Sequence, residues 1–498
     1  MTTQLGRDFK LATSPLSEVS QFLSQRSIQS YLVGGYVRDL LLGRVTADID
    51  IAVAASALEV AREAATVLGG KYVLLDEAHQ VARVVLTDEA APQGGKWYLD
   101  FSTLQGTIEQ DLARRDFTID AMALGLTLQG EDGLQLIDPF AGRQDLERRL
   151  IRAVSRDVFQ QDAIRLLRAM RLAAWLGFLI EGATESLVRR HSHLVAEVAG
   201  EKVRSELLCL LSIPGSACFL HHLDELGLLT ALIPELEETK GAEQPKEHFW
   251  DGFNHSLETV AAIEFLLREG DWQYVRDDIL SVVPWSTELA QHFDQEVSSG
   301  SSRRSLLKLA GMLHDIAKPQ TKSVNEKGRT HFFGHAKIGA AIAVRILERL
   351  RFSNREVNLV EITVTHHLRP MQMSDGEMPS RRAIYRYFRD TGEAGIDCQF
   401  LSLADHLATR GPYLDLAQWQ QHAQMAEYVL SQRFKEEGVV HPPRLIDGHD
   451  LIDIFGLSPG PRIGWLLEAV REAQAAGELA NREEALAFVR ERLSSEGM

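Results

Sequence analysis

Along residues 30–125, short apolar runs alternate with stretches of helical periodicity, the pattern of an α/β unit. Residues 31–33, 49–53, 72–75, 81–86 and 97–101 read as strands, and 36–42 as a short helix. The alanine-rich stretch 55–68 reads as a longer helix, and Gly69-Gly70 stops it because glycine accepts the left-handed conformation that ends helices. From about Ser155 the strand signals fade, and Leu, Ala, Glu and Arg recur at helical spacing almost to the last residue. The expected fold class is α+β, with an α/β head followed by a mostly helical remainder. Linkers are expected at residues 239–244, at the serine-rich stretch 297–302, and at 439–443; no internal repeat is visible.

Composition narrows the setting. The 498 residues exceed one typical domain, and three or four units are expected. There is no apolar run long enough to cross a bilayer, and residues 1–10 lack the apolar core of a secretory signal, so a cytoplasmic protein without a membrane partner is expected. The three cysteines, Cys209, Cys218 and Cys398, are odd in number and lack paired metal spacing, which argues for buried thiols rather than disulfides or a zinc knuckle. A formal net charge of −17 excludes a broadly cationic surface; any nucleic-acid binding must rest on a local basic stripe, and the arginine-rich stretch 143–171 offers one.

Chemistry begins at Gly34-Gly35, between a strand and a helix, where backbone N–H groups can approach phosphate oxygens without a side chain intervening. A glycine pair alone is most often just a tight turn. Asp48 and Asp50 follow on the next strand, where alternate residues share a face and can present two carboxylates to the same metal ions. Hard oxygen ligands suit Mg²⁺, and two such ions can activate an attacking 3′-hydroxyl and stabilise leaving pyrophosphate. A third carboxylate is expected on a neighbouring strand. Asp100, flanked by apolar residues, is the best candidate; Asp76 and Asp88 lie at strand ends, where a solvated carboxylate is unremarkable.

Three blocks, GGYVRDLLLGRVTADIDIAV from Gly34, RRDFTIDAMAL from Arg114 and DPFAGRQDLERRLIRAV from Asp138, resemble in order and spacing the successive motifs of bacterial class II tRNA nucleotidyltransferases and their poly(A) polymerase relatives. The resemblance implies a polymerase-β-like nucleotidyltransferase head. It also implies that Arg114, Arg115 and Asp116 bind the incoming nucleotide and that Arg38 lies near its triphosphate. Asp120 stands where the family usually has asparagine. The block QDAIRLLRAMRL from Gln161 resembles the family's nucleotide-selecting helix. Asp162 and Arg165, three residues apart, are expected to project from one helical face, the aspartate accepting from the exocyclic amine of C or A and the arginine donating to the adjacent ring acceptors. Between Asp100 and Arg114 the connection is short. Relatives that add all three nucleotides often carry a longer, flexible loop there, so a CC-adding or A-adding specialist is a live alternative.

Farther on, His255, the pair His314-Asp315, His335, His366 or His367, and Asp405 appear in an order that resembles an HD-type metal phosphohydrolase domain. Histidines with carboxylates suit a divalent transition metal able to activate water against a phosphate ester. Lys318, one helical turn beyond Asp315, is placed to contact that phosphate. His449-Asp450 falls outside this order and is expected to cap a helix.

The reading is a nucleotidyltransferase head at 25–154, a helical neck at 155–238 that selects the base and meets RNA, an HD domain at 245–411 and a helical tail at 412–498. The expected activity is template-independent addition of CCA, or part of it, to tRNA 3′ ends from CTP and ATP, without an obligate protein partner. A poly(A) polymerase would share the motifs but extend generic RNA; a noncatalytic RNA-binding protein with an active HD domain would need a dead head.

Overall fold

The computed structural model describes residues 2–4, 15–88, 91–126, 135–242, 245, 248–274, 278–373, 378–435 and 442–495. Residues 243–244 and 439–441 of the expected linkers, and Met1 and residues 5–10 of the polar N-terminus, lie outside the described residues. Two compact units result: Met1–Val198 with Leu226–Leu228, and Ala199–Glu225 with Leu229–Met498. Among the described residues no helix is long and apolar enough to cross a membrane.

The first unit is built on one sheet. Its strands are β1 (Thr2–Gln4), β2 (Ser30–Val33), β3 (Asp48–Val53), β4 (Lys71–Asp76), β5 (Val81–Thr87), β6 (Lys96–Thr103), β7 (Ala123–Gly125) and β8 (Gln135–Ile137), in the order β1-β8-β7-β2-β3-β6-β5-β4. β3 and β6 run parallel; the other neighbours are antiparallel. Alternation sets the faces. Ile49 and Ile51 of β3, Leu99 and Phe101 of β6, and Ala82 and Val84 of β5 are fully buried on one side, leaving Asp48, Asp50, Tyr98, Asp100 and Arg83 on the other. Each large apolar side chain buried in this way contributes about 1.5–3 kcal/mol.

The helix Ala57–Val67 covers the apolar side with Ala57, Val60, Ala61, Ala64 and Ala65, and Ser56 caps it by accepting from the Glu59 N–H. Small side chains allow a close approach. At Gly70 a Cβ would meet Leu86 and Val84 at 2.5 and 2.7 Å, so the glycine pair serves packing as well as helix termination.

The second unit is mainly helical. The helices Gly252–Leu266, Arg303–Leu313, His335–Arg349, Asn354–His366 and Gly395–Arg410 carry nearly half of its buried residues. Lys308 is completely buried, with its ammonium 2.9 Å from Glu264, 2.7 Å from Glu269 and donating to the Leu211 carbonyl, so its charge is fully compensated. The tail residues Ile446, Leu451, Leu466, Val470, Ala473, Leu479, Ala485 and Val489 form a core cluster of their own. Asp447 and Asp450 form a capping box on Gly448–Phe455, in line with a capping role for this stretch.

Several expectations need correction. The serine-rich stretch 297–302 is not a linker: Glu296–Ser298 pairs antiparallel with Ser301–Ser302, Val297 and Ser301 are buried, and Ser302 caps the next helix. Its serines are turn and cap residues. A second hairpin, Lys322–Val324 with Thr330–Phe332, interrupts the helical region. Of the three cysteines only Cys398 is buried; Cys209 and Cys218 lie exposed on helices.

Candidate active sites

On the polar side of the first unit's sheet, Asp50 of β3 stands in register with Asp100 of β6, and Asp48 with Tyr98. Parallel pairing therefore brings all three carboxylates to one face. Asp48 has a 65% exposed side chain, whereas Asp50 is largely enclosed. Burial lifts the Asp50 carboxyl to about 6 against the pull of the Arg115 guanidinium, and neighbouring Asp100, Asp120 and Asp48 push the same way as burial. Asp48 is raised by burial too, with Arg83 opposing. A set of three hard oxygen donors, one reluctant to ionise without a nearby cation, fits Mg²⁺.

Asp100 is not a free ligand here. Arg83 on β5 faces it in register and donates from Nε and Nη2 to its two carboxylate oxygens at 2.7 and 2.8 Å, while lying 3.8 Å from Asp48. Among the described residues, groups of three or more His, Cys, Asp or Glu whose ligand atoms lie within 4.8 Å occur only in the second unit. Arg83 escaped the sequence reading. Its signal was an arginine within an otherwise apolar strand, VARVVLT.

Gly34 has φ 67°, and a Cβ there would sit 2.5 Å from Arg115 and 3.2 Å from Asp50, so no other residue fits between the strand, the helix Gly35–Leu41 and the acidic face. Arg38, beside Gly35, is buried and held by Asp39 at 2.9 and 3.0 Å and by Asp120 at 2.7 Å. The Asp120 carboxyl is pushed up by burial while Arg38 pulls it down. The net direction is upward, and it is the 2.7 Å hydrogen bond that anchors Arg38 to Asp120.

Asp116 is buried. Burial alone would raise it, but Arg168, donating at 2.8 Å, and the Phe117 N–H hold it below the usual carboxylate range. Arg114 donates to the Gln105 carbonyl at 2.9 Å, and Arg165 donates to the Arg114 carbonyl at 2.8 Å. Asp162 and Arg165 do not share one helical face. The helix Val158–Gln161 ends at Asp162, whose backbone is extended (φ −154°, ψ 105°), and Arg165 opens the next helix, Arg165–Leu176. A backbone turn still links them, the Arg165 N–H donating to the Asp162 carbonyl at 3.2 Å, and Arg165 stays beside the Arg114 turn.

In the second unit, five helices supply a closed cluster. His255 lies 3.1 Å from Asp405, 3.3 Å from Asp315 and 3.3 Å from His314. Asp315 also lies 3.4 Å from His335 and 3.9 Å from His367. The donors fall into two groups sharing Asp315: His255, His314, Asp315 and Asp405, and Asp315, His335 and His367. His366 belongs to neither; its neighbour His367 at the helix end is the one turned inward.

His314, His335 and His367 each place Nδ1 at 2.7 Å from the backbone carbonyl three residues earlier, of Gly311, Phe332 and Val364. That bond fixes the tautomer with a lone pair on Nε2, as a metal ligand requires. Nε2 of His335 and His367 are buried without a hydrogen-bond partner and face Asp315, so the donor set fits a divalent transition metal. Burial opposes charge on His314, yet Asp315 and Asp405 lift it to about 10, so with no cation present its Nε2 carries a proton that a metal would displace; both carboxylates are held well below their usual range. Lys318 pairs with Asp315 at 2.6 Å and lines a cavity of about 360 Å³ with His248, His331, Phe333, His335 and Thr409.

Known families match three stretches of the chain. Residues 30–152 match the family described as poly A polymerase head domain, 177–240 that described as probable RNA and SrmB- binding site of polymerase A, and 252–410 the HD domain. The chain is 34% identical over 467 residues to the A-adding tRNA nucleotidyltransferase of Deinococcus radiodurans, covering 92% of this chain and 94% of that one. It is 32% identical over 470 residues to the CC-adding tRNA nucleotidyltransferase of Thermus thermophilus, covering 92% and 93%. A solved Thermotoga maritima CCA-adding enzyme complexed with tRNA shares the fold at TM-score 0.61 and 23% identity over 99% of each chain.

Proposed function

This chain belongs to the tRNA nucleotidyltransferase family, and from that premise we propose that it adds nucleotides to tRNA 3′ ends with Asp48 and Asp50 as its central acids. The observation that carries the reading is the placement of both carboxylates on one strand face against the side-chain-free Gly34 turn. Asp48 and Asp50 would hold Mg²⁺, which would supply activation of the 3′-hydroxyl and charge neutralisation at the leaving pyrophosphate. Backbone N–H groups at Gly34-Gly35, with Arg115 and Arg38 beside them, receive the triphosphate. Arg114 and Asp116 frame the nucleotide, and Asp162 with Arg165 reads its base from the two sides of a helix break.

The base repertoire is part of the proposal. The connection after β6 is short and pinned: Thr107 and Gln110 form a capping box on the helix Ile108–Leu112. A short connection leaves little chain to re-form the site between C and A addition, and relatives matched over more than nine-tenths of the chain are each named for one kind of base. We therefore read a single-base specialist, working in the cytoplasm and organised as the four regions outlined from the sequence. Incubating the purified protein and Mg²⁺ with tRNA lacking its CCA end, or ending in CC, with CTP, ATP or both, tests this by sequencing of the termini. Extension with only one nucleotide type supports it, complete CCA removes the specialist reading, and no extension removes the activity.

For the HD cluster, the reading is a metal-dependent phosphoester hydrolase. His255, His314, Asp315 and Asp405, with His335 and His367, would hold the metal, which supplies an activated water. The unpartnered buried Nε2 atoms favour this reading. Release of phosphate from RNA bearing a terminal phosphate, lost in Asp315→Asn, is the corresponding assay.

A further inference from the structure

On the helix Arg165–Leu176, Leu166, Leu167, Ala169, Met170, Leu172, Ala173, Ala174 and Leu176 are buried. What remains is one stripe: Arg165, Arg168, Arg171 and Trp175. Three arginines and a tryptophan, with no carboxylate among them, make up the helix's entire accessible face. It runs for about 15 Å at 1.5 Å per residue, on a chain of formal net charge −17.

Trp175 is the anomaly. It is 43% exposed, and the side chains placed over its ring are cationic: the guanidinium carbons of Arg38 and Arg44 each lie 5.0 Å from its centroid. Arg44 is itself exposed, whereas Arg38 is anchored by Asp39 and Asp120 and lies against Gly35. The indole thus sits one side chain away from the glycine turn of the nucleotidyl site. An aromatic surface flanked by guanidiniums has the chemistry that holds unpaired nucleotides, with stacking on the ring and phosphates on the cations.

We propose that Trp175 and Arg44 form a subsite for the unpaired 3′ end of the RNA being extended, with one base stacked on the indole and a neighbouring phosphate on Arg44. The occupant follows from charge and continuity: Arg168 is already paired with Asp116, but exposed Arg44 borders the indole, and Arg38, also over the ring, lies against the glycine turn where the growing end must react. This rests on the nucleotidyl-transfer reading above and adds the element that holds the primer rather than the incoming nucleotide.

The test uses the full-length protein and end-labelled tRNA lacking CCA, with binding measured by anisotropy. Trp175→Ala is expected to weaken RNA binding about tenfold, the scale of one lost base stack, and Trp175→Phe to restore most of it. The KM for the added nucleoside triphosphate should not move. An abasic replacement at one of the last unpaired nucleotides should weaken wild type by a similar factor while leaving Trp175→Ala no weaker than before. Unchanged binding in Trp175→Ala overturns the subsite, as does an equal loss on every abasic RNA without rescue by phenylalanine, or a raised nucleotide KM. If wild type extends tRNA and only these outcomes appear, the subsite alone is refuted; if wild type neither binds nor extends tRNA, the underlying activity fails with it.

Discussion

In the first unit three carboxylates line an open sheet face and are balanced by arginines: Arg83 on Asp100, Arg115 beside Asp50, and Arg38 between Asp39 and Asp120. In the second unit two carboxylates are enclosed by four histidines, three of which commit Nδ1 to a backbone carbonyl and leave Nε2 facing inward. The first centre suits a polyanionic ligand that arrives with its own cation and leaves again. The second suits a resident metal. Strand alternation builds the former from hard oxygen donors alone, while helix ends build the latter from nitrogen and oxygen donors together.

The largest expected difference is functional separation. Asp50→Asn or Asp48→Asn should lower nucleotide addition at least ~1,000-fold, the scale of losing several kcal/mol of charge stabilisation, and leave the metal content of the second unit unchanged. A variant that still extends tRNA at more than a tenth of the wild-type rate would break the assignment. The converse change, Asp315→Ala, should strip metal from the second unit by elemental analysis and cost about 3–5 kcal/mol of stability, because it leaves buried partners uncompensated. Nucleotide addition near the wild-type rate is expected in that variant, and its loss would show that the two centres are not independent.

A third contrast lies in pH. The Asp50 carboxyl titrates at about 6 in the fold against an ordinary 3.8. Its favourable contribution is complete below pH 4 and is lost as pH rises through 6, about 3 kcal/mol at ~1.4 kcal/mol per unit. In metal-free buffer Asp50→Asn should therefore melt several degrees above wild type at pH 8, and the two should converge toward pH 4. A constant difference across that range would mean that burial of this carboxyl carries no such cost. The smallest effect concerns Arg83. Arg83→Gln frees both Asp100 oxygens, so the Mg²⁺ concentration for half-maximal addition should fall by a few-fold, about 0.5–1 kcal/mol. If Asp100→Asn proves as damaging as Asp50→Asn, Asp100 is itself a metal ligand and the Arg83 clamp is only a resting arrangement.

Much of the head was legible before any coordinates. All five strands read between residues 31 and 101 exist, extended by a residue or two, because alternation and glycine punctuation are local properties. Asp48, Asp50 and Asp100 fell on one face for the same reason. Where the reading erred, non-local packing decided. Helical spacing between Asp162 and Arg165 was inferred from a pattern that cannot reveal the break at residues 162–164. The serines of 297–302 look alike whether they form a linker or a capped hairpin.

The sequence by itself determined the α/β head, the helical remainder and the acidic pair on its strand, since each depends on spacing within a short segment; the histidines of the HD order, spread from His255 to Asp405, were legible only through their resemblance to a known family. Only the tertiary structure decided that Arg83 clamps Asp100, that His367 rather than His366 turns inward, that Arg38 is tied to Asp120, and that Trp175 meets Arg38 and Arg44. Apart from the choice between adjacent histidines, these are contacts between residues 17 to 137 positions apart or nearly so, set by strand register and by which side of a helix is left unburied. No local pattern encodes them.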